Sequence, residues 1–184
     1  MKNISVIPLV LAAIIIVSGI CLYNSVKSAK IEVEAQYGQV ENQIQRRADL
    51  IPNLVNTVKG YMQYEEKVLT EVTAARAKVT GAASPEEMAA ADQELTGALG
   101  RLLAVAENYP TLKSDAHFTE LMREIAGSEN RIAVARRDYN NAIREYNVTV
   151  STFPGNMLAG IMGYGPLAPF ASDEAAHNVP QVAF

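Results

Sequence analysis

Apolar residues recur along most of this chain at three- and four-residue intervals, the spacing of one face of an α-helix. Val26, Val33, Tyr37, Val40 and Ile44 begin one stripe, and its register continues through Ile51, Leu54, Val58, Tyr61, Val68, Val72 and Val79. The segment GAASPEE, residues 81–87, interrupts it. There Ser84 suits an N-cap, Pro85 the first helical position and Glu87 the return bond of a capping box. The next stripe, Met88, Leu95, Leu99, Leu102 and Ala106, ends at ENYPTLKS. Pro110 stops it, and Thr111 or Ser114 can cap the next helix. The last stripe runs from Phe118 through Leu121, Ile125, Ile132, Ala135, Tyr139, Ile143, Tyr146 and Val150 to Phe153, with Gly127 as a place to bend. No stretch alternates with period two for long enough to argue a sheet, so the pattern predicts an all-α chain.

Ahead of these stripes, Ile4 to Tyr23 (ISVIPLVLAAIIIVSGICLY) is almost wholly apolar. At about 1.5 Å per residue it spans the roughly 30 Å of a bilayer's hydrocarbon layer. Pro8 falls near its start, where a helix tolerates it best. A cleaved signal peptide would have a shorter apolar run followed by an A-x-A pattern. Lipid attachment at Cys21 would want a small residue before it, and Ile20 is there. The stretch reads as a retained transmembrane helix. Lys2 lies on one side of it and Lys27 and Lys30 on the other, so the positive-inside rule does not choose an orientation.

Composition changes the picture in two ways. Of 16 Lys+Arg, only Lys2, Lys27 and Lys30 precede residue 31, and no acid does. The rest of the chain carries 13 basic against 20 acidic residues, a balance of −7. That disfavours nucleic acid, whose binding rests on phosphate neutralisation. The single cysteine, Cys21, excludes an internal disulfide.

The stretch QRRADLIPNLVNTVKG, residues 45–60, places a proline inside an apolar run. In a helix interior Pro52 would lose a hydrogen bond and clash with the carbonyl of Ala48, costing about 3 kcal/mol. With Asp49 as N-cap it would fall in a first turn, where that cost largely vanishes. A corner near 46–49 then gives helices over about 24–48, 50–80, 85–108 and 114–153, an antiparallel up-and-down four-helix bundle. The competing reading is a kinked continuous helix, since the register does not skip at the proline. The corner is the expectation adopted. Arg47 and Glu65 fall on the apolar register, so Arg46, Arg47, Asp49, Pro52, Asn53 and Glu65 read as a structural polar cluster there. A phosphate or headgroup site from Arg46, Arg47, Arg136 and Arg137 is opposed by Asp49 and Asp138 in the same stretches. Tyr139-Asn140 and Tyr146-Asn147 repeat at seven residues and share a helix face. They read as a register device, bonding across the bundle to Asn53 or Asn56.

Candidate chemistry is sparse. Metal sites of helical bundles use Glu-x-x-His, which does not occur here. His117 reads as a surface or cap residue and His177 lies in the tail. Cys21 sits in the apolar stretch, away from any soluble histidine. No Gly-rich phosphate loop and no G-x-S-x-G is present. No catalytic residue, metal or cofactor is expected.

Residues 154–184 hold four of the eight prolines and four of the eleven glycines, with no Lys or Arg. They also hold Met157, Leu158, Ile161, Met162, Tyr164, Leu167 and Phe170. Such a tail is too apolar for a disordered one. It reads as an interaction segment that covers itself on its own helices, a neighbouring subunit or the membrane interface. The organisation expected is an anchor and juxtamembrane segment over 1–30, a bundle over 31–153 and the tail over 154–184.

The run QRRADLIPNLVNTVKGYMQYE is very similar to the signature of the LemA family of bacterial membrane-associated proteins. ELTGALGRLLAVAENYPTLKS (94–114), SENRIAVARRDYNNAIREYNVTVSTFPGN (128–156) and VPQVAF (179–184) resemble the same family. Two positions depart from it: Tyr64 stands where the family often has histidine, and Tyr37 where it has tryptophan. The resemblance implies a transmembrane segment followed by an antiparallel four-helix bundle, with no established enzymatic activity. It also implies scaffolding or adaptor work, since some relatives are tied to magnetosome membranes and others are encoded near membrane proteases. The partners expected are the lipid bilayer, further copies of the chain and a membrane-protein partner. The location expected is the bacterial cytoplasmic membrane, crossed once.

Overall fold

The structure is a computed structural model that describes residues 6–62 and 65–170. Ile4 and Ser5, Tyr64, His177, the VPQVAF motif and the rest of the tail from residue 171 lie outside the described residues. Among the described residues the chain is all-α, with helices α1 (Val6–Lys59), α2 (Glu66–Gly81), α3 (Pro85–Ala106), α4 (Pro110–Lys113), α5 (Ala116–Ser151) and α6 (Gly155–Met162) and no strand.

Helix α1 runs through Pro52 without a break. This corrects the expected corner at 46–49, and with it the separate helices over 24–48 and 50–80. Helix α1 ends instead at Lys59, and the Tyr61 and Met62 amides both donate to the Val58 carbonyl at 2.9 Å. The physical reason is a substitute donor. Pro52 has no N–H to offer the Ala48 carbonyl, and the Nε–H of Arg76 on α2 donates to that oxygen at 3.0 Å. Ala48, Ile51, Leu54 and Val58 are buried along the uninterrupted register. The expected stripe is displaced by one at two positions, where Met62 and Leu69 are buried in place of the exposed Tyr61 and half-buried Val68, and it resumes at the buried Val72 and Val79.

The chain divides into two compact units. Unit one comprises the described residues up to Gln36 together with Asp138–Pro169; unit two comprises Tyr37–Arg137 together with Phe170. In unit two, α2 and α3 pack on each other around Val72, Val79, Leu95 and Leu102, all buried. Ion pairs Lys78–Glu94 (2.5 Å) and Arg101–Glu71 (2.8 Å) flank that contact. Ser84 caps α3, its hydroxyl accepting from the Glu87 amide at 3.2 Å, with Pro85 in the first turn. Glu87 reaches back to the Ala83 amide at 2.8 Å. The cap of α5 is Asp115, whose carboxylate accepts from the Phe118 amide at 2.9 Å; Ser114 instead donates to the Thr111 carbonyl.

In unit one the apolar part of α1 is long and apolar enough to cross a membrane, and it is almost wholly exposed. Further along, Val26 and Val33 are buried, as are Tyr139, Ile143, Tyr146 and Val150 of α5. The Lys30 ammonium stands 5.8 Å above the Tyr146 ring, joining the two helices. Helix α6 starts hard against the end of α5, since a Cβ at Gly155 would collide with the Thr149 carbonyl oxygen. Gly163 ends α6 in the left-handed region, at φ 69°, and lets the Tyr164 amide bond back to the Ala159 carbonyl at 2.9 Å.

Candidate functional site

Two constellations stand out, one in each unit. In unit two, Arg47 of α1 is buried to 1% exposure on the apolar register. Its Nη2 donates to a carboxylate oxygen of Asp92 on α3, to the Asp92 carbonyl at 3.1 Å and to the Thr96 hydroxyl at 3.0 Å. Thr96 in turn donates to that same carbonyl at 2.9 Å. Asp92 is 2% exposed, and its second carboxylate oxygen accepts from Arg136 of α5. Glu129 approaches Arg47 Nη1 at 3.7 Å from the solvent side. Arg136 also stacks over the Phe170 ring, 5.0 Å from its centroid.

These residues line a cleft of about 220 Å³ together with Gln93, Ile132 and Ala133. Burial pushes the Asp92 carboxyl above its ordinary value, and Glu129 adds to that push, while the Arg47 and Arg136 guanidiniums oppose both. The Nε–H groups of Arg47 and Arg136 are buried without an acceptor among the described residues. Chemically the arrangement is a charge-neutral clamp. It ties α1, α3 and α5 together through one carboxylate, which takes an Nη2 donor from each arginine.

In unit one the chain after α6 is strapped onto α5. Asn147 donates to the Leu167 carbonyl at 2.8 Å and accepts from the Leu167 amide at 2.8 Å, closing a ring of two bonds. Tyr146 donates to the Gly165 carbonyl at 3.1 Å. Beside the strap, Asn140, Ile143, Arg144, Asn147, Val148, Ser151, Thr152 and Pro169 line an open, mainly apolar groove of about 520 Å³.

The sequence-predicted residues are dispersed by this geometry. Arg47 enters the clamp, but its partners are Asp92 and Glu129. Arg46 and Asp49 are exposed, Asp49 accepting from Gln45. Asn53 is exposed and Glu65 lies half-buried just before α2. Tyr139 is buried and Asn140 half-buried beside the groove. Tyr146 and Asn147 hold the strap, and the expected bonds to Asn53 and Asn56, both exposed, are replaced by bonds to Gly165 and Leu167. The tail divides. Tyr164, Leu167 and Phe170 fold back on the protein, Leu158 and Met162 are half-buried, and Met157 and Ile161 are exposed. Asp92 was legible by the same sign that singled out Arg47, a charge on an apolar stripe four residues past Met88.

The model of the LemA family matches residues 36–184. Magnetosome protein MamQ 2 of Paramagnetospirillum magneticum is 29% identical across 86% of this chain and 67% of its own length. Magnetosome protein MamQ of Magnetospirillum gryphiswaldense is 26% identical across 77% of this chain and 62% of its own. Protein LemA of Metamycoplasma hominis is 24% identical across 82% of this chain and 69% of its own. With the family model covering both the Arg47–Asp92–Arg136 clamp and the strap on α5, the chain belongs to the LemA family.

Proposed function

We propose that this protein is a non-enzymatic scaffold, anchored by the apolar part of α1 in a single pass of the bacterial cytoplasmic membrane, and that it self-associates there. The observation that carries this reading is the closure of the clamp. Both Asp92 oxygens are taken by arginines, and Arg47 is further shared with Thr96 and Glu129. Groups committed in this way hold helices together and are not poised to move a proton. The surface points to binding: Val148 is 56% exposed in the groove of unit one, and Ile31 of the same unit is also exposed. Two relatives are named magnetosome proteins, names that state no reaction.

Light scattering and electron microscopy of the full chain in mild detergent test the reading. The expected result is an ordered particle of several copies that becomes smaller with Val148→Arg. A monomer in both cases would overturn self-association. A small oligomer carrying a different membrane protein, such as a protease, would replace the scaffold with an adaptor.

A further inference from the structure

We propose that α6 lies in the interfacial layer of the bilayer, with Phe153, Met157 and Ile161 directed into lipid beside the point where α1 leaves it. This rests on reading the apolar part of α1 as the membrane anchor. Phe153 stands in the turn just before α6, and Met157 and Ile161, four residues apart, share one face of that helix. The three side chains are 78%, 65% and 83% exposed, while Gly155 and Ala159 on the opposite face are buried against unit one. An outward row of large apolar residues on a well-held helix needs a cover.

Three observations select lipid as that cover. First, α6 is fixed near the end of the apolar stretch. Its start is set by the Gly155–Thr149 contact, and Tyr164 just past its end accepts from the Lys27 ammonium at 3.4 Å. Lys27 follows Tyr23, the last residue of that stretch, by four positions. Second, residues 152–170 carry no charge, whereas a helix meant for water carries charges on its open face. Third, the flanking groups are those of a headgroup layer: Asn156 lies to one side of the row, and a tyrosine with a lysine closes its end. The exposed apolar surface of α1 and the row on α6 belong to one unit, so the same bilayer can cover both.

The test is label accessibility in full-length protein reconstituted into liposomes of mixed neutral and anionic phospholipid. In a Cys21→Ser background, a fluorophore is placed in turn at Met157→Cys, Ile161→Cys, Asn156→Cys and Ile15→Cys. Quenching by nitroxide-bearing lipid is compared with quenching by aqueous iodide. The expected result is strong lipid quenching with little iodide quenching at 157, 161 and 15, and clear iodide quenching at 156. Iodide quenching at 157 and 161 with lipid quenching at 15 would overturn the proposal and leave the anchor standing. Protection at 157 and 161 from both quenchers would mean a protein cover, a second copy included, and would also overturn it. Iodide quenching at 15 would remove the anchor reading and this proposal together.

Discussion

Asp92 stands between two arginines with both oxygens engaged and 2% of its surface exposed. Removing one partner of a buried pair leaves uncompensated charge, at a cost of about 3–5 kcal/mol, whereas replacing a whole cluster by apolar groups is often neutral. Asp92→Ala is therefore expected to lower the unfolding free energy by about that amount. The matched triple Arg47→Met, Asp92→Leu, Arg136→Met should lose much less. Denaturant unfolding followed by circular dichroism checks both; equal losses would refute the clamp as a charge-balancing device. Asp115 makes a pH prediction. The Phe118 amide, and after it the Tyr61 hydroxyl, hold its carboxyl below the ordinary carboxylate value. A lowered folded value contributes stability in full above the unfolded carboxylate value of about 3.9 and loses it as the pH falls through the folded one. Asp115→Asn should flatten the acid limb of melting temperature against pH and leave its slope near neutrality unchanged.

At the scale of elements, the clearest lesson is Pro52. The unbroken apolar register across it was the correct sign of a continuous helix, and the known cost of an interior proline argued against it. What sequence reasoning lacked was Arg76, whose Nε–H serves the Ala48 carbonyl from another helix. A donor that arrives from 28 residues away is not visible in local spacing. The helix ends were only partly legible: Ser84 and Pro85 mark α3, whereas the end of α1 at Lys59 falls inside the helix expected over 50–80. The strap was half legible. The Tyr146-Asn147 pair announced a polar device, but its partners are backbone groups of Gly165 and Leu167, which no side-chain pattern encodes. A double-mutant cycle tests the proline account. Arg76→Met should cost about 1.5–3 kcal/mol with Pro52 in place, the worth of a charge-assisted bond. In the Pro52→Ala background the backbone amide restored at position 52 can serve the Ala48 carbonyl, so the same change should cost clearly less. Additive effects would mean that Arg76 does not compensate the proline.

For the whole molecule, membrane residence should depend on α1 far more than on α6. Apolar residues contribute roughly 0.3–0.6 kcal/mol each at the centre of a spanning helix, and a lysine there costs about 2.5–3.5 kcal/mol. Ile14→Lys with Ile16→Lys thus shifts insertion by about 6–8 kcal/mol, comparable with everything the apolar stretch supplies. Serine at Phe153, Met157 and Ile161 removes only three partly submerged side chains, and α1 is untouched. Alkaline extraction of membranes separates these cases. The wild-type chain and the triple serine variant should both stay with the lipid pellet, and the double lysine variant should move largely to the supernatant. Release of the triple serine variant would make α6 a main anchor. Retention of the double lysine variant would mean that the exposed apolar run of α1 is not what holds the protein at the bilayer, because two charges at its centre leave no stable span.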